Sequence, residues 1–159
     1  MPTSDRIVLV VDDNPAIVAL LSTIFVAEGY RVVTALARET VQCAREWSPA
    51  VILLDIAMPE FDGVQVCERL RGDPRTAAIP IIALSAQLNL HIHAAAMQAD
   101  AYVAKPFDIS ALVAVVNTWA DTPSPHASGG DHHPATLLAP APARGALRER
   151  LAVASGDAR

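Results

Sequence analysis

The stretch Ile7-Val8-Leu9-Val10-Val11-Asp12-Asp13-Asn14-Pro15 decides the fold of this chain. Residues 7–11 form an uninterrupted aliphatic run, which is typical of a parallel strand that is buried on both faces. Asn14 followed by Pro15 indicates a helix start, because Asn caps free backbone amides and Pro fits the first helical turn. The stretch therefore predicts a strand that ends in two acids and passes directly into a helix.

The same alternation of strand and helix patterns continues to residue 122. Further buried strands are predicted at 31–34, 50–54, 80–84 and 101–103. Helices are predicted from 15 to the Gly29 stop and at 38–46, 64–70, 88–97 and 109–116. Five strand–helix units in succession predict an α/β fold, (βα)5 and doubly wound, with a parallel sheet and helices on both faces. In such sheets, functional sites lie at the carboxyl ends of the strands.

Charge and composition exclude several classes of function. The 159 residues include 12 Lys+Arg and 17 Asp+Glu, a net charge of −5. That balance argues against direct nucleic-acid binding, which needs clustered basic residues. No apolar run approaches the ~20 residues that span a bilayer, so no membrane role is expected. The start of the chain lacks signal-peptide features and two cysteines are too few for a disulfide framework, so we expect a cytoplasmic protein.

The composition changes near residue 122. We predict a folded domain over 1–122 and a Pro/Ala/Gly-rich, disordered tail over 123–159, with a short helix at 146–153. The tail is too short and too linker-like for a DNA-binding output domain, so a stand-alone single-domain protein is expected. The alternative is a fragment of a longer protein.

Polar residues follow four of the predicted strands. Asp12 and Asp13 follow the first strand, Asp55 the third, Ser85 the fourth and Lys105 the fifth. Three carboxylates at one sheet edge repel one another unless a cation neutralises them, and Mg²⁺ prefers carboxylate oxygens. A carboxylate beside Mg²⁺ is a known nucleophile for forming an aspartyl phosphate. The edge therefore predicts a phosphoryl-transfer site with Mg²⁺ as its cofactor.

Four motifs together resemble the receiver domain of response regulators in two-component signalling. They are Val10–Asn14, Leu54–Gly63, Ala83–Ala86 and Ala99–Phe107, in the family's order and spacing across about residues 5–121. The resemblance implies a flavodoxin-like fold with strand order 2-1-3-4-5. It also implies a phosphorelay switch that receives its phosphoryl group from a histidine kinase or a histidine phosphotransfer protein and acts on a downstream protein.

The resemblance also implies a role for each motif residue. Asp55 matches the phosphoacceptor, Lys105 the phosphoryl-contacting lysine, and Ser85 and Tyr102 the switch pair. The Mg²⁺ ligands would be Asp12 (through water), Asp13, Asp55 and the backbone carbonyl of Ala57. Phosphorylation would reshape the face formed by helix 4, strand 5 and helix 5, which is also the face for a homodimer if one forms. The Lys105–Pro106 peptide bond is expected to be cis, an isomer that only X–Pro bonds adopt routinely.

The chain departs from the family pattern at the positions two after Asp55 and two after Ser85. These are Ala57 and Gln87, a pair that tunes autodephosphorylation in the family. An alanine cannot orient the attacking water, so we hypothesise that Gln87 alone influences this step. A third departure is Ala99, where a glycine is common.

Two other classes of function are weighed against the switch. A phosphatase of the haloacid-dehalogenase type needs a second Asp at the position that Ala57 occupies, and the nucleotide-binding glycine motifs are absent. The chain is therefore expected not to be an enzyme, beyond self-catalysed phosphotransfer to Asp55 and slow autodephosphorylation. A phosphorylation-independent docking module is the remaining alternative.

Asp62-Gly63 is predicted to form a turn and cap the next helix.

Overall fold

The computed structural model describes residues 6–58, 61–86 and 98–122. It contains seven strands, numbered in chain order: β1 (Ile7–Val11), β2 (Arg31–Ala35), β3 (Val51–Asp55), β4 (Ala57–Met58), β5 (Phe61–Asp62), β6 (Ile81–Ser85) and β7 (Ala101–Ala104). Five strands form one sheet in the order β2-β1-β3-β6-β7, and every neighbouring pair is parallel. The predicted order 2-1-3-4-5 is confirmed, because β4 and β5 only form a separate two-residue antiparallel pair.

Four helices connect and cover the sheet among the described residues. They are α1 (Pro15–Ala27), α2 (Thr40–Trp47), α3 (Gly63–Gly72) and a last helix (Ile109–Ala120), and a 3-10 turn at Ala37–Glu39 precedes α2. The predicted helix at 88–97 and the predicted tail helix at 146–153 lie outside the described residues. None of these four helices has the length and apolar character that a bilayer crossing requires.

The core consists of two layers, one on each face of the sheet. Alternate strand residues point to opposite faces. Leu9, Ile52 and Ala83 pack with side chains of α2 and α3 on one face. Val10, Leu53 and Leu84 pack with α1 and the last helix on the other face. Burial on both faces explains why the central strands read as continuous aliphatic runs.

The helix starts follow from short polar side chains. Asn14 accepts a hydrogen bond from the Ala16 amide at the start of α1, and Asp62 accepts one from Val64 at the start of α3. The predicted cap by Asp62 is therefore confirmed, and the chain passes there directly from β5 into α3. Gly63 is required by space, since a Cβ there would lie 2.7 Å from the Ile56 Cα.

A buried ion pair links α3 to the β7 edge of the sheet. Arg71 and Asp100 are joined by an Nη2–Oδ2 distance of 2.7 Å, and their side chains are 5% and 0% exposed. Arg71 also donates to the backbone carbonyls of Ala77, Ile79 and Gln98. This contact fixes the segments that precede β6 and β7, and therefore the strands that deliver Ser85 and Lys105 to the site.

Candidate functional site

The sheet brings the predicted acids together at its carboxyl edge. Asp12 and Asp13 directly follow β1, and Asp55 is the last residue of β3. β1 and β3 are neighbours, with Val11 in register with Leu54. One carboxylate oxygen from each of Asp12, Asp13 and Asp55 lies within 4.8 Å of the others. The expected three-carboxylate cluster is therefore present in the folded chain.

Lys105 lies between two of the three acids. Its Nζ is 2.8 Å from Asp12 Oδ2 and 3.4 Å from Asp55 Oδ2. Its backbone amide donates to the Ser85 carbonyl at 2.9 Å, which ties the end of β7 to the end of β6. The Lys105–Pro106 peptide bond is cis, as the resemblance to receiver domains implies. The ammonium group of Lys105 is thus held against the acid cluster from the end of β7.

The three carboxylates have different surroundings. Asp55 and Asp12 are buried, whereas Asp13 is exposed. Asp55 Oδ1 accepts the Ala57 amide at 2.9 Å, and Asp12 Oδ1 accepts the Asn14 amide at 2.9 Å. Both bonds hold the carboxyl planes fixed before any partner arrives, and Asp13 presents its charge to solvent at the mouth of the cleft.

The pKa values of Asp55 and Lys105 are both raised, but for different reasons. The pKa of Asp55 is raised, first by burial and then by the nearby Asp12 carboxylate, although the Ala57 amide and Lys105 oppose the shift. Burial alone would lower the pKa of Lys105, but the hydrogen bond to Asp12 and the charge of Asp55 outweigh it and raise that pKa. Lys105 therefore remains charged at neutral pH and offsets part of the acid cluster.

The donor set fits a hard divalent cation. All three side chains offer carboxylate oxygens, the ligands that Mg²⁺ prefers. With Lys105 counted, the four groups carry a formal charge of −2, which one divalent cation balances. Asp12 already holds Lys105 through Oδ2 and Asn14 through Oδ1. Asp55 likewise accepts the Ala57 amide through Oδ1, and its Oδ2 lies 3.4 Å from Lys105 Nζ.

Ser85 and Tyr102 lie on the neighbouring strand pair. Ser85 ends β6 and is fully buried, and Tyr102 lies in β7 in register with Ala83. Ala83 belongs to the α2/α3 layer of the core, and Tyr102 packs against the same layer. Side chains two apart in a strand share a face, so Ser85 points to that face as well. The two residues are thus placed along one side of the sheet, with Ser85 at the carboxyl end of its strand.

Of the two positions that were predicted to tune autodephosphorylation, the structure describes only one. Ala57 is exposed in β4, two residues after Asp55. Gln87 lies outside the described residues, and so does the fourth predicted helix. The sequence did not indicate Arg38, Leu36 or Phe61, which line the same cleft as Asp12 and Asp13, a depression of about 440 Å³. Leu36 and Arg38 lie outside the four motifs, and Phe61 lies within Leu54–Gly63 but was given no role of its own.

Fold and site together define a doubly wound α/β domain with an acidic, lysine-bridged cleft at the carboxyl edge of its sheet. A family model for the response regulator receiver domain matches residues 8–117. The chain belongs to this family, the receiver domains of two-component response regulators.

Curated relatives agree with this assignment. The chain is 40% identical over 112 residues to the DNA-binding dual master transcriptional regulator RpaA of Synechocystis, covering 69% of this chain and 46% of RpaA. It is 34% identical over 119 residues to the DNA-binding response regulator MtrA of Mycolicibacterium smegmatis, covering 73% of this chain and 51% of MtrA. The chain thus matches about half the length of these relatives.

Solved structures give the same fold. Chemotaxis protein CheY4 of Vibrio cholerae superposes with a TM-score of 0.68 at 26% identity, covering 73% of this chain and 99% of CheY4. The receiver domain of sensor histidine kinase PA1611 from Pseudomonas aeruginosa superposes with a TM-score of 0.69 at 25% identity, covering 75% of this chain and 100% of that domain. In the latter, a magnesium ion is coordinated in the active site cleft.

Proposed function

We propose that this domain is a phosphorylation-dependent signalling switch that accepts a phosphoryl group on Asp55. The observation that carries the proposal is the placement of Lys105 Nζ between Asp12 and Asp55, at 2.8 Å and 3.4 Å. A buried carboxylate with a fixed cation beside it is suited to phosphoryl transfer, which depends mainly on positioning and charge neutralisation.

The transfer step follows from the orientation of Asp55. The Ala57 amide fixes one carboxylate oxygen, and the carboxylate attacks the phosphorus of a phosphohistidine on a histidine kinase or phosphotransfer protein. An O–P bond forms on Asp55 while the P–N bond of the donor breaks and the electron pair stays on the imidazole nitrogen. Lys105 balances charge on the phosphoryl oxygens.

Mg²⁺ is the cofactor that the carboxylates fit. When bound, it supplies charge neutralisation for the phosphoryl oxygens. Asp13 and Asp55, together with the Ala57 carbonyl, would hold it directly, and Asp12 would act through water. The magnesium ion in the receiver domain of PA1611 supports this assignment.

The response would pass from Asp55 to Ser85 and Tyr102. The Ser85 hydroxyl would donate to a phosphoryl oxygen, and Tyr102 would repack along the same face of the sheet. Such a change shifts a population only if the phosphorylated site interacts differently with the two states, and the Ser85 contact supplies that difference. The affected surface includes β7 and the last helix, where a downstream protein or a second copy would bind.

The proposed role is that of a cytoplasmic switch and not of an enzyme with an external substrate. The acidic net charge of −5 supports protein partners over direct nucleic-acid contact by this domain. The named relatives bind DNA as whole proteins, and this chain matches about half of each. The proposal therefore concerns the receiver domain alone.

Amide NMR of the full chain with beryllofluoride and Mg²⁺ tests the switch, because beryllofluoride mimics a phosphoryl group on a carboxylate. We expect signal changes at Asp55 that extend to Ser85 and Tyr102 in the wild type and are absent in Asp55→Ala. Mg²⁺ alone and fluoride alone serve as controls. A wild type that binds Mg²⁺ but shows no change at Ser85 or Tyr102 would favour the docking-module alternative.

A further inference from the structure

A groove between α2 and α3 adjoins the acidic cleft and shares Ala37, Arg38 and Phe61 with it. It has a volume of about 780 Å³, and its lining includes Arg38, Val41, Arg45, Phe61, Val66 and Arg69. Asp12 and Asp13 line the cleft and not this groove. We propose that this groove, the α2–α3 groove, binds an acidic, amphipathic segment of a partner protein.

The charge of the α2–α3 groove depends on acids as well as arginines. Two acids also line it, Asp62 and Asp73. Asp62 caps α3 through the Val64 amide, and Asp73 is paired with Arg45. Both acids are therefore engaged within the fold.

Two arginines of the groove have no such engagement. Within the described ranges 6–58, 61–86 and 98–122, no ion pair or hydrogen bond involves the side chain of Arg38 or Arg69. The charged residues that line the groove are three arginines and two aspartates, a formal net charge of 3 − 2 = +1, in a chain whose net charge is −5. This local reversal of sign selects an acidic partner and disfavours a basic one.

The α2–α3 groove also offers apolar surface. Phe61, which is 39% exposed, and Val41, which is partly buried, both line the groove. An aromatic ring and a branched aliphatic residue between arginines form a surface that the apolar side of a helix can cover while its acidic side pairs with Arg38 and Arg69. Recognition of an amphipathic helix in a groove follows this pattern.

Charge complementarity also separates the candidate occupants. Residues 123–159 of this chain carry four basic and three acidic residues, so they do not match the arginines. A small anion would use the charge but leave the Phe61 and Val41 surface uncovered. An acidic partner segment uses both features.

The probe is a fluorescein-labelled designed peptide with leucine at i, i+3, i+4 and i+7 and glutamate at all remaining positions. A matched peptide carries lysine in place of glutamate. Fluorescence polarisation with the full chain should show binding of the glutamate peptide, with weaker affinity at higher salt, and no comparable binding of the lysine peptide. Amide NMR should show shifts at α2–α3 groove residues such as Arg38, Val41 and Arg69.

A pair of double variants tests the arginines. Arg38→Gln with Arg69→Gln should weaken the affinity for the glutamate peptide about fivefold, because the effects of losing two exposed ion pairs multiply. Arg31→Gln with Arg75→Gln removes the same charge outside the groove and should leave the affinity within about twofold. Circular dichroism melting confirms that all variants fold.

Three results would overturn the proposal. One is the absence of binding by the glutamate peptide, or equal binding by both peptides. Another is equal weakening by the two double variants, which would indicate a general charge effect. The third is concentration-dependent self-association with shifts at the same groove, which would make a second copy of the chain the occupant. None of these results depends on phosphorylation of Asp55.

Discussion

The buried Arg71–Asp100 pair gives the sharpest stability prediction. Its side chains are 5% and 0% exposed, and Arg71 also donates to three backbone carbonyls. The variant Arg71→Met keeps a long apolar side chain but removes the charge and all donors. Asp100 then loses the Arg71 guanidinium, while the Ile81 amide still donates to its Oδ2.

Breaking one side of a buried ion pair costs about 3–5 kcal/mol, because the other charge is left buried and uncompensated. We therefore expect Arg71→Met to lower the free energy of unfolding by about 4 kcal/mol in urea denaturation. For a domain of this size, each kcal/mol corresponds to about 4 °C, so Tm should fall by roughly 15 °C. Arg75→Met is the matched control, since Arg75 is exposed in the adjoining turn, and it should change stability by less than about 0.5 kcal/mol.

A double variant separates the pair from the backbone bonds. Arg71→Met with Asp100→Asn removes the uncompensated charge, so the combined loss should be smaller than the sum of the two single losses. Additive losses, or a loss below about 1 kcal/mol for Arg71→Met, would refute the reasoning that a buried charge pair fixes the approaches to β6 and β7.

Three further predictions concern the site and a buried thiol. Asp13→Asn removes one of three clustered carboxylates, so it should stabilise the Mg²⁺-free chain by up to about 1 kcal/mol. It should also reduce the stabilisation that Mg²⁺ gives in urea titrations. A variant that is less stable than the wild type without Mg²⁺ would contradict this prediction. Burial raises the pKa of Cys67 from 9.0 to about 12, so the stability it contributes is present below pH 9 and is lost as pH rises toward 12. The unfolding free energy of the wild type should fall faster than that of Cys67→Ala over this range, by at most about 1.4 kcal/mol per pH unit, and equal slopes would argue against it. Finally, Ala57→Asn and Gln87→Ala should change the lifetime of phospho-Asp55 in a phosphate-release assay, and an unchanged lifetime in both would remove our hypothesis for this pair.

The sequence predicted the sheet well because each central strand is buried on both faces. Short continuous aliphatic runs such as residues 7–11 and 51–54, alternating with helical patterns, are typical of strands inside a parallel sheet. The acids and Lys105 were predictable for a topological reason, since the carboxyl ends of parallel strands meet at one edge. Asp55 illustrates the limit of the pattern, because it follows the predicted strand yet belongs to β3 as its last residue.

Long-range polar contacts were not predictable from periodicity. Arg71 and Asp100 are 29 residues apart, and each resembles a solvated surface residue in the sequence. The β4–β5 pair is also too short, at two residues per strand, to produce an alternating pattern. Arg38 and Arg69 line one groove because the 3-10 turn at Ala37–Glu39 and α2 both pack beside α3.

Intact-mass spectrometry of the full chain with acetyl phosphate and Mg²⁺ tests the central claim most directly. We predict that the wild type gains the mass of one phosphoryl group, that EDTA prevents the gain, and that Asp55→Asn shows none. Asp121→Asn, an exposed acid paired with Arg6, is the control and should be modified like the wild type. An unmodified wild type, or equal modification of Asp55→Asn, would contradict the assignment of Asp55 as the phosphoacceptor.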